Sequence, residues 1–503
     1  MDELERYRQE LDEINAEIHR LFVKRMEISE KVAAYKVENN LPIYQKNREN
    51  QILQKLDDQE EKYGKYTKAL FKKMMELSRA RQNEVRGFYG LLGEKLSHSY
   101  SIEIHEALGC PNYNLVEAEE DELENVLGNG EYLGFNVTIP YKRKILEYCA
   151  EWSEEVKDIQ SANTLVKQVT QKEDGTMDYH WVAHNTDVLG FQDMMKFARF
   201  DLNGQKVVIL GAGGVAMAVA YAAHVAKARE VVLVSRKGRD NFSNLDRHYD
   251  AEVIVNATPV GMAPNLEDEI VDLRLFSKCK AVVDLIYNPH RTRLLQKAET
   301  IGIPCIGGLY MLVAQAAHAE TLFWGKEFDA KTIRSIYKKL SFEKRNLVLI
   351  GMPGCGKSVI AKAIGKMSGR QVVDLDEEIE KQVKKSAEQL IWEKGEAYFR
   401  TLETEVLKKV CQMKGIILAT GGGTPLTAKN KQLLKADGYV YYISRDIRQL
   451  DMEGRPLSSD DTIETLYRKR LPHYQACMDT FFINDSTVSA IAQKIWMDFE
   501  QNA

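Results

Sequence analysis

The spacing of apolar positions changes character twice along the chain. Over residues 1 to about 86, hydrophobic residues step by three and four. Leu11, Ile14, Ile18 and Leu21 fall on one helical face. The pattern runs without a breaker from about Asp2 to Asn40, and Pro42 then forces a break. Two shorter helices are predicted at roughly 46–60 and 66–86. From Gly87 the runs become strand-like and Gly-punctuated: FYGLLG, GFNVTIP, QKVVILGAGG, REVVLVSRK, AEVIVNATP and KAVVDLIYNP. Such strands alternating with helical stretches predict parallel α/β units. A last helix near 329–340 leads into the strand NLVLI and a further α/β unit reaching the C-terminus. The pattern therefore divides the chain into an all-α segment (1–86) and two α/β segments (87–340 and 341–503).

Composition changes this picture little. The 503 residues are too many for one core, and 44% hydrophobic with 28% charged is ordinary for a globular protein. A net charge of −5 implies no strongly basic surface, so nucleic acid is not an expected partner, and the charge is compatible with small anions in local basic pockets. Seven scattered cysteines show neither CxxC nor zinc-like Cys/His spacing. With no secretory leader read at the N-terminus, reduced thiols in the cytoplasm are expected. Val207–Ala223 is apolar but short for a membrane span and contains GAGG, so it reads as a buried strand, turn and helix, and no membrane association is expected.

Chemistry is densest after residue 346. GMPGCGKS (351–358) follows a strand, the arrangement in which backbone N–H groups of Gly354, Cys355 and Gly356 curl around phosphates. Lys357 adds a cation and Ser358 a hydroxyl for Mg²⁺. In VVDLDEEIE, Asp374 and Asp376 alternate at a strand end, so one carboxylate can reach a metal shell and the other an acceptor hydroxyl. GEAYFRTLE, the glycine turn Gly421–Gly423, GRPL and RKRLPHY follow. In this order the motifs resemble shikimate kinase from 346 to about 495. The resemblance implies that Asp376, Arg400, Gly421, Gly422 and Gly423 hold shikimate, with Arg470 on its carboxylate. Asp376 would also position the attacking hydroxyl. Lys357, Ser358 and Asp374 would serve ATP and Mg²⁺, Arg448 the ATP side, and Arg455 would close onto the transferring phosphate.

In the middle segment GAGGVAMA follows the strand VVIL and opens a helix. Gly211, Gly213 and Gly214, with Ala212 and Val215 between and after them, fit a dinucleotide fingerprint within about 200–310. The next strand ends in Ser235, Arg236 and Lys237 rather than an acid, which favours the 2′-phosphate of NADP(H). LSHSYSIEIH, NVTIPYK, SANTL, HNTDVLG, NATPVGM, DLIYNP and GLYMLVAQAA together resemble shikimate dehydrogenase across 87 to about 325. That resemblance implies a substrate domain and a Rossmann NADP domain. Ser99 and Ser101 would take the substrate carboxylate, Thr138, Asn163, Tyr287 and Gln315 its ring hydroxyls, and Asn256 and Thr258 the cofactor. Lys142 and Asp187 would form the catalytic pair, because an alkoxide left by hydride delivery is stabilised and protonated by a positioned ammonium. Ile102 and Glu106 stand where proline and asparagine are common in the family, and altered local packing is expected there.

On the first helix Arg25 and Lys36 are eleven residues apart and share a face. Arg8 lies about 100° round the helix and could join their site only from a partner subunit. Ser78 and Gln82 can point together at i, i+4. With Arg48 and Glu49 these positions resemble the all-helical, intertwined-dimer type of chorismate mutase over 4–86. The resemblance implies that Arg8 of the other chain, Arg25 and Arg48 bind the carboxylates of chorismate, that Glu49 and Ser78 line the site, and that Lys36 and Gln82 meet the ether oxygen. Gln45 stands where an aspartate is often found.

The expectation is a trifunctional shikimate-pathway enzyme acting on 3-dehydroshikimate, shikimate and chorismate with NADPH, ATP and Mg²⁺, dimerising through its N-terminal helices. Two other readings compete. In one, the helical segment senses prephenate or chorismate and regulates its neighbours; in the other, the middle segment is a catabolic quinate/shikimate dehydrogenase.

Overall fold

A computed structural model describes residues 3–38, 46–57, 62–96, 99–110, 112–128, 131–171, 177–450 and 462–502. The helical segment comprises Glu3–Glu38, Lys46–Asp57 and Gly64–Arg86. Three cross-helix contacts advance together along the first and third of these, Arg25 to Met74, Glu30 to Arg81 and Lys36 to Gln82, so the two run parallel. These contacts involve only the C-terminal half of the first helix. Leu4, Tyr7, Leu11, Ile14, Ile18 and Leu21 remain 47–57% exposed, so the apolar face read from the sequence points to solvent in the single chain.

Inter-residue contacts divide the chain into two compact units. The first (1–193, 217–222 and 313–333) contains the helical segment and a six-stranded sheet. The sheet order is Tyr113–Glu117, Phe88–Gly93, Tyr132–Val137, Thr164–Gln171, Met177–His184 and Glu151–Trp152. Here the structure departs from the parallel pattern expected. Thr164–Gln171 pairs antiparallel with both neighbours, and Met177–His184 is one of them. Lys167, Gln168 and Thr170 interrupt the apolar pattern in the first of these strands, which hides it from periodicity.

The second unit (194–216, 223–312 and 334–503) contains two all-parallel five-stranded sheets. The first has the order Glu230–Val234, Lys206–Leu210, Val253–Asn256, Ala281–Asp284 and Cys305–Gly307, or 2-1-3-4-5 in chain order. The other runs Val372–Asp374, Ile417–Ala419, Asn346–Ile350, Gly438–Ser444 and Thr480–Ile483, or 2-3-1-4-5. Val207–Leu210 and Leu347–Ile350 are essentially fully buried, the continuous apolar run expected when a strand is covered on both faces. Both orders reverse beside the first strand, and ligand-binding loops of such sheets gather at the carboxyl ends there. The helix predicted near 329–340 spans Ala330–Lys344 and leads into Asn346–Ile350.

Candidate active sites

In the first unit, Lys142 follows Tyr141, whose hydroxyl donates to Ala118 O at 2.7 Å and fixes the turn after Tyr132–Val137. Lys142 O accepts from Ala162 N at 2.7 Å, tying this turn to the SANTL segment. Asp187 opens the helix Asp187–Ala198. Lys142 Nζ meets Asp187 Oδ2 at 2.5 Å, and both side chains are largely buried. Asn163 Nδ2 donates to Asp187 Oδ1 (3.1 Å) and Gln315 Oε1 (3.2 Å), while its Oδ1 accepts from Thr186 N at 2.7 Å. Four sequence-predicted residues, Lys142, Asp187, Asn163 and Gln315, thus converge. Thr138 is half-buried with its N–H on Leu92 O, and Ser99 and Ser101 share a 2.9 Å hydroxyl contact at the start of Ser101–Leu108. On that helix Ile102 packs into the apolar core and Glu106 is exposed.

A buried polar chain behind this cluster escaped the sequence reading. Thr164 Oγ1 donates to Asn163 Oδ1 (3.1 Å), and Asn136 Nδ2 donates to Thr164 Oγ1 (3.2 Å). The Tyr113 hydroxyl donates to Asn136 Oδ1 at 2.7 Å. The Tyr113 ring stacks on His105 at 3.6 Å, and His105 Nδ1 bonds to Glu320. Burial, reinforced by the Glu320 charge, pushes the Tyr113 phenol well above its ordinary pKa and keeps it a donor. His105 and Asn136 lie within the quoted motifs, but nothing local announces that they meet.

In the second unit, Gly211 adopts φ +124°, and a Cβ there would sit 2.9 Å from Ala257 O. Glycine at this position lets the strand Lys206–Leu210 turn tightly beside Val253–Asn256. The exposed Ala212 and Gly213 then lead into Gly214–Val225, whose first turn carries Val215. A helix N-terminus opening at the reversal of strand order suits a dinucleotide pyrophosphate. Ser235 is half-buried, and Arg236 and Lys237 stand exposed after Glu230–Val234. Asn256 is fully buried, donating to Asp284 Oδ1 (3.0 Å) and accepting from the Thr258 hydroxyl (2.7 Å), so it shapes the NATP turn from within. Tyr287 is half-buried in the segment after Ala281–Asp284, and burial raises its phenol pKa.

The phosphate loop joins Asn346–Ile350 to the helix Lys357–Ser368, with Gly354 and Gly356 at φ +78° and +99°. Cys355 is buried, and its carbonyl accepts from Asn484 Nδ2 at 2.9 Å. Lys357 is buried, with Nζ donating to Gly351 O and Met352 O, both at 3.0 Å. Ser358 Oγ donates to Asp374 Oδ2 at 2.6 Å, and Asp374 Oδ1 caps the next helix through Asp376 N at 3.1 Å. A Cβ at Gly423 would overlap the Arg400 guanidinium, and one at Gly421 would press on Asp376 Oδ1 at 2.8 Å. A Cβ at Gly422 would meet Pro353 of the phosphate loop at 2.6 Å. All three glycines therefore border the predicted groups.

Arg400 is oriented by Glu403 (3.0 Å) and Glu396 (3.1 Å), and the fully buried Glu403 accepts from Thr424 Oγ1 at 2.7 Å. Burial opposes the Arg400 charge, but these two carboxylates raise its pKa above the usual range. Tyr474 OH donates to Gly422 O at 2.6 Å, and Arg470 Nε is buried with no hydrogen-bond partner among the described groups. Arg448 is exposed and pairs with Asp446 at 2.7 Å. Arg455 lies outside the described residues, as does Gln45.

In the helical segment Arg25 donates to Met74 O at 3.0 Å and to the Ser78 hydroxyl, and partial burial lowers its pKa. Lys36 Nζ meets Gln82 Oε1 at 3.2 Å, both buried. Glu49 pairs with Arg79, a partner the sequence did not suggest, while Arg8 and Arg48 are exposed. Among the described residues no group of three or more His, Cys, Asp or Glu could hold a metal, and no helix is long and apolar enough to cross a membrane.

The chain thus carries, in order, a helical cation cluster, the substrate and dinucleotide parts of an oxidoreductase, and a P-loop phosphotransferase. Family models match accordingly: chorismate mutase type II over 7–83, the shikimate dehydrogenase substrate binding domain over 91–165, and shikimate kinase over 353–500. A shikimate dehydrogenase (NADP(+)) of Clostridium perfringens is 34% identical over 273 residues, covering 50% of this chain and 97% of that protein. One from Pyrococcus abyssi is 33% identical over 269 residues, covering 49% and 96%. A chorismate mutase/shikimate 5-dehydrogenase fusion from Clostridium acetobutylicum has 32% identity and a TM-score of 0.46, covering 50% of this chain and 97% of that one. The chain belongs to the shikimate dehydrogenase family. With its flanking domains it is a trifunctional enzyme of the shikimate pathway, combining chorismate mutase, shikimate dehydrogenase and shikimate kinase.

Proposed function

We propose that the dehydrogenase reduces 3-dehydroshikimate through Lys142 and Asp187, and that the contact between these two side chains carries the assignment. Bound NADPH supplies the hydride. Lys142 Nζ donates its proton to the oxygen of the reduced carbonyl, and Asp187, anchored by Asn163, orients the ammonium and accepts from a substrate hydroxyl. Ser99 and Ser101 take the carboxylate; Thr138, Asn163, Tyr287 and Gln315 take ring hydroxyls. The glycine turn at Gly211 and the basic Arg236–Lys237 suit the pyrophosphate and 2′-phosphate of NADP(H).

The kinase then phosphorylates the shikimate 3-hydroxyl. Asp376 orients that hydroxyl, Arg400 and Arg470 bind shikimate beside Gly421–Gly423, and Lys357, Arg448 and Arg455 meet the phosphates of ATP. The oxygen set of Ser358 and Asp374 fits Mg²⁺, which characteristically takes one or two carboxylates and completes its shell with water and substrate phosphates. When bound, Mg²⁺ neutralises charge on those phosphates.

The mutase restrains chorismate with Arg25, Arg48 and the partner subunit's Arg8, while Lys36 and Gln82 meet the charge developing on the ether oxygen. The exposed stripe Leu4, Tyr7, Leu11, Ile14, Ile18 and Leu21 supports a homodimer through this helix. Loss of chorismate followed by absorbance tests the mutase, and absence of turnover in protein that still reduces 3-dehydroshikimate would reduce the domain to a binding role. Ile14→Lys is expected to yield monomers in sedimentation and to abolish chorismate turnover while the dehydrogenase persists.

A further inference from the structure

We infer that the kinase domain clamps the segment 284–292 that carries Tyr287 and so positions that residue for substrate. The inference rests on the reading of Tyr287 as a substrate contact. On the dehydrogenase side the segment is held by Ala263 N–H on Asn288 O (3.1 Å), Gly308 N–H on Ile286 O (3.0 Å), Gln296 Nε2 on Arg291 O (3.0 Å) and, at both ends, Asp284. Asp284, at the end of Ala281–Asp284, accepts from Ile286 N at 3.1 Å and from Thr292 Oγ1 at 2.6 Å, stapling both ends. Between those staples the outer side of the segment is bound by kinase groups. Lys414 Nζ donates to Asn288 Oδ1 at 2.7 Å, His290 N to Asp437 Oδ1 at 2.8 Å, and Arg291 N to Ala436 O at 2.7 Å.

Arg291 is the anchor. Its guanidinium makes a two-pronged contact with Asp479 at 2.6 and 2.9 Å and also donates to Lys435 O and Gly438 O. Asp479 accepts in addition from Val440 N at 2.8 Å, so the anchor point belongs to the kinase sheet between Gly438–Ser444 and Thr480–Ile483. Arg291 is buried, and without the kinase it would lose every one of these partners. Glu267, paired with Lys408 (2.6 Å) and Lys429 (3.1 Å), extends the same interface. Arg291, Asp479 and Lys414 are thus positioning residues for Tyr287, and three of the groups that fix its loop lie more than a hundred residues downstream in a different catalytic domain.

The test is steady-state kinetics of the dehydrogenase in the full-length protein, with kinase activity and thermal midpoint as measures of folding. Asp479→Ala is expected to raise KM for shikimate about ten-fold, with kcat and KM for NADP little changed, since a displaced positioning group weakens substrate contact. Asp479→Glu should recover part of the loss. Arg291→Ala should match Asp479→Ala, and the double variant should be no worse than either, the signature of one shared interaction. Should the alanine variants fail to fold, Lys414→Met, which removes its bonds to Asn288 and Asp437 and leaves the Arg291–Asp479 pair intact, is expected to raise the same KM about three-fold. An unchanged KM for shikimate in folded Asp479→Ala or Lys414→Met protein overturns the clamp. Tyr287→Phe separates the two readings. If it raises KM while the clamp variants do not, the clamp fails and the Tyr287 assignment stands. If it leaves KM unchanged while the clamp variants raise it, the clamp stands and another residue of the segment touches substrate.

Discussion

The dehydrogenase and kinase sites lie in the same chain but are built in different ways. Around Lys142 the groups are buried and already bonded to one another: ammonium to carboxylate, carboxylate to amide, amide to a polar chain that ends at Glu320. In the kinase the acceptor-side Arg400 is networked with Glu403, Glu396 and Thr424, but the groups around the phosphate loop are held separately. Lys357 bonds to its own loop, Ser358 and Asp374 pair toward solvent, Arg448 pairs with a neighbour two residues away, and Arg470 keeps a buried Nε with no partner among the described residues. The difference follows the chemistry proposed for each site. A proton donor for a nascent alkoxide must keep one orientation, and a fixed network supplies it. A phosphotransferase organises its cations around charge that its substrates bring, so its own groups need only stand within reach.

Substitutions that break or sharpen this contrast can be ranked. Lys142→Met should remove the proposed proton donor and lower the dehydrogenase kcat by about 1,000-fold while leaving phosphorylation intact, read from NADPH oxidation and ATP consumption in one preparation. An equal fall in both rates would mean that the network supports folding rather than chemistry. Next in size is a pH effect from the buried side. Burial pushes the Asp284 carboxyl up to about 6 despite bonds from Thr292, Ile286 and Asn256, whereas an unfolded carboxyl titrates near ~4. Between these values the folded state keeps a proton that the unfolded state has released. Stability therefore falls as pH rises through that window, and a cost of about 3 kcal/mol is fully present above it. Asp284→Asn removes the titration, so its Tm relative to wild type should climb as pH rises from about 4 to about 6 and then level off; a pH-independent difference would contradict the assignment.

On the open side, Asp374→Asn should weaken the hold on Mg²⁺, lowering kinase activity about 10–100-fold at fixed metal, with partial recovery when Mg²⁺ is raised. A loss that added metal leaves untouched would place Asp374 in capping the helix Leu375–Val383 alone. The smallest effect is expected from Gly423→Ala. Its methyl group would displace Arg400, raising the kinase KM for shikimate and costing about 1–2 kcal/mol, measurable by denaturant titration. Wild-type kinetics there would show that Arg400 can move aside without consequence.

Legibility in the sequence also differed between these regions. The phosphate loop, the DLD pair and the glycine turn were readable because each needs only a short stretch of backbone after a buried strand. The structure puts them at the carboxyl ends of three strands of one sheet. The motifs around Lys142 were readable one by one. The antiparallel pair Thr164–Gln171 and Met177–His184 was not, because polar residues break its alternation. On the N-terminal helix the face was read correctly, but its exposure in the single chain emerged only in three dimensions.

By itself the sequence determined the three-segment order, the turns that require glycine, and the residue types on which each chemistry depends, since local spacing sets backbone conformation and which side chains share a face. Tertiary structure alone decided which of those side chains meet. Lys142 reaches Asp187 across 45 residues, Arg291 reaches Asp479 across 188, and His105 reaches Glu320 across 215. Contacts of that range depend on how strands and helices pack around buried cores, and no local pattern encodes the packing that brings a charged group to its partner.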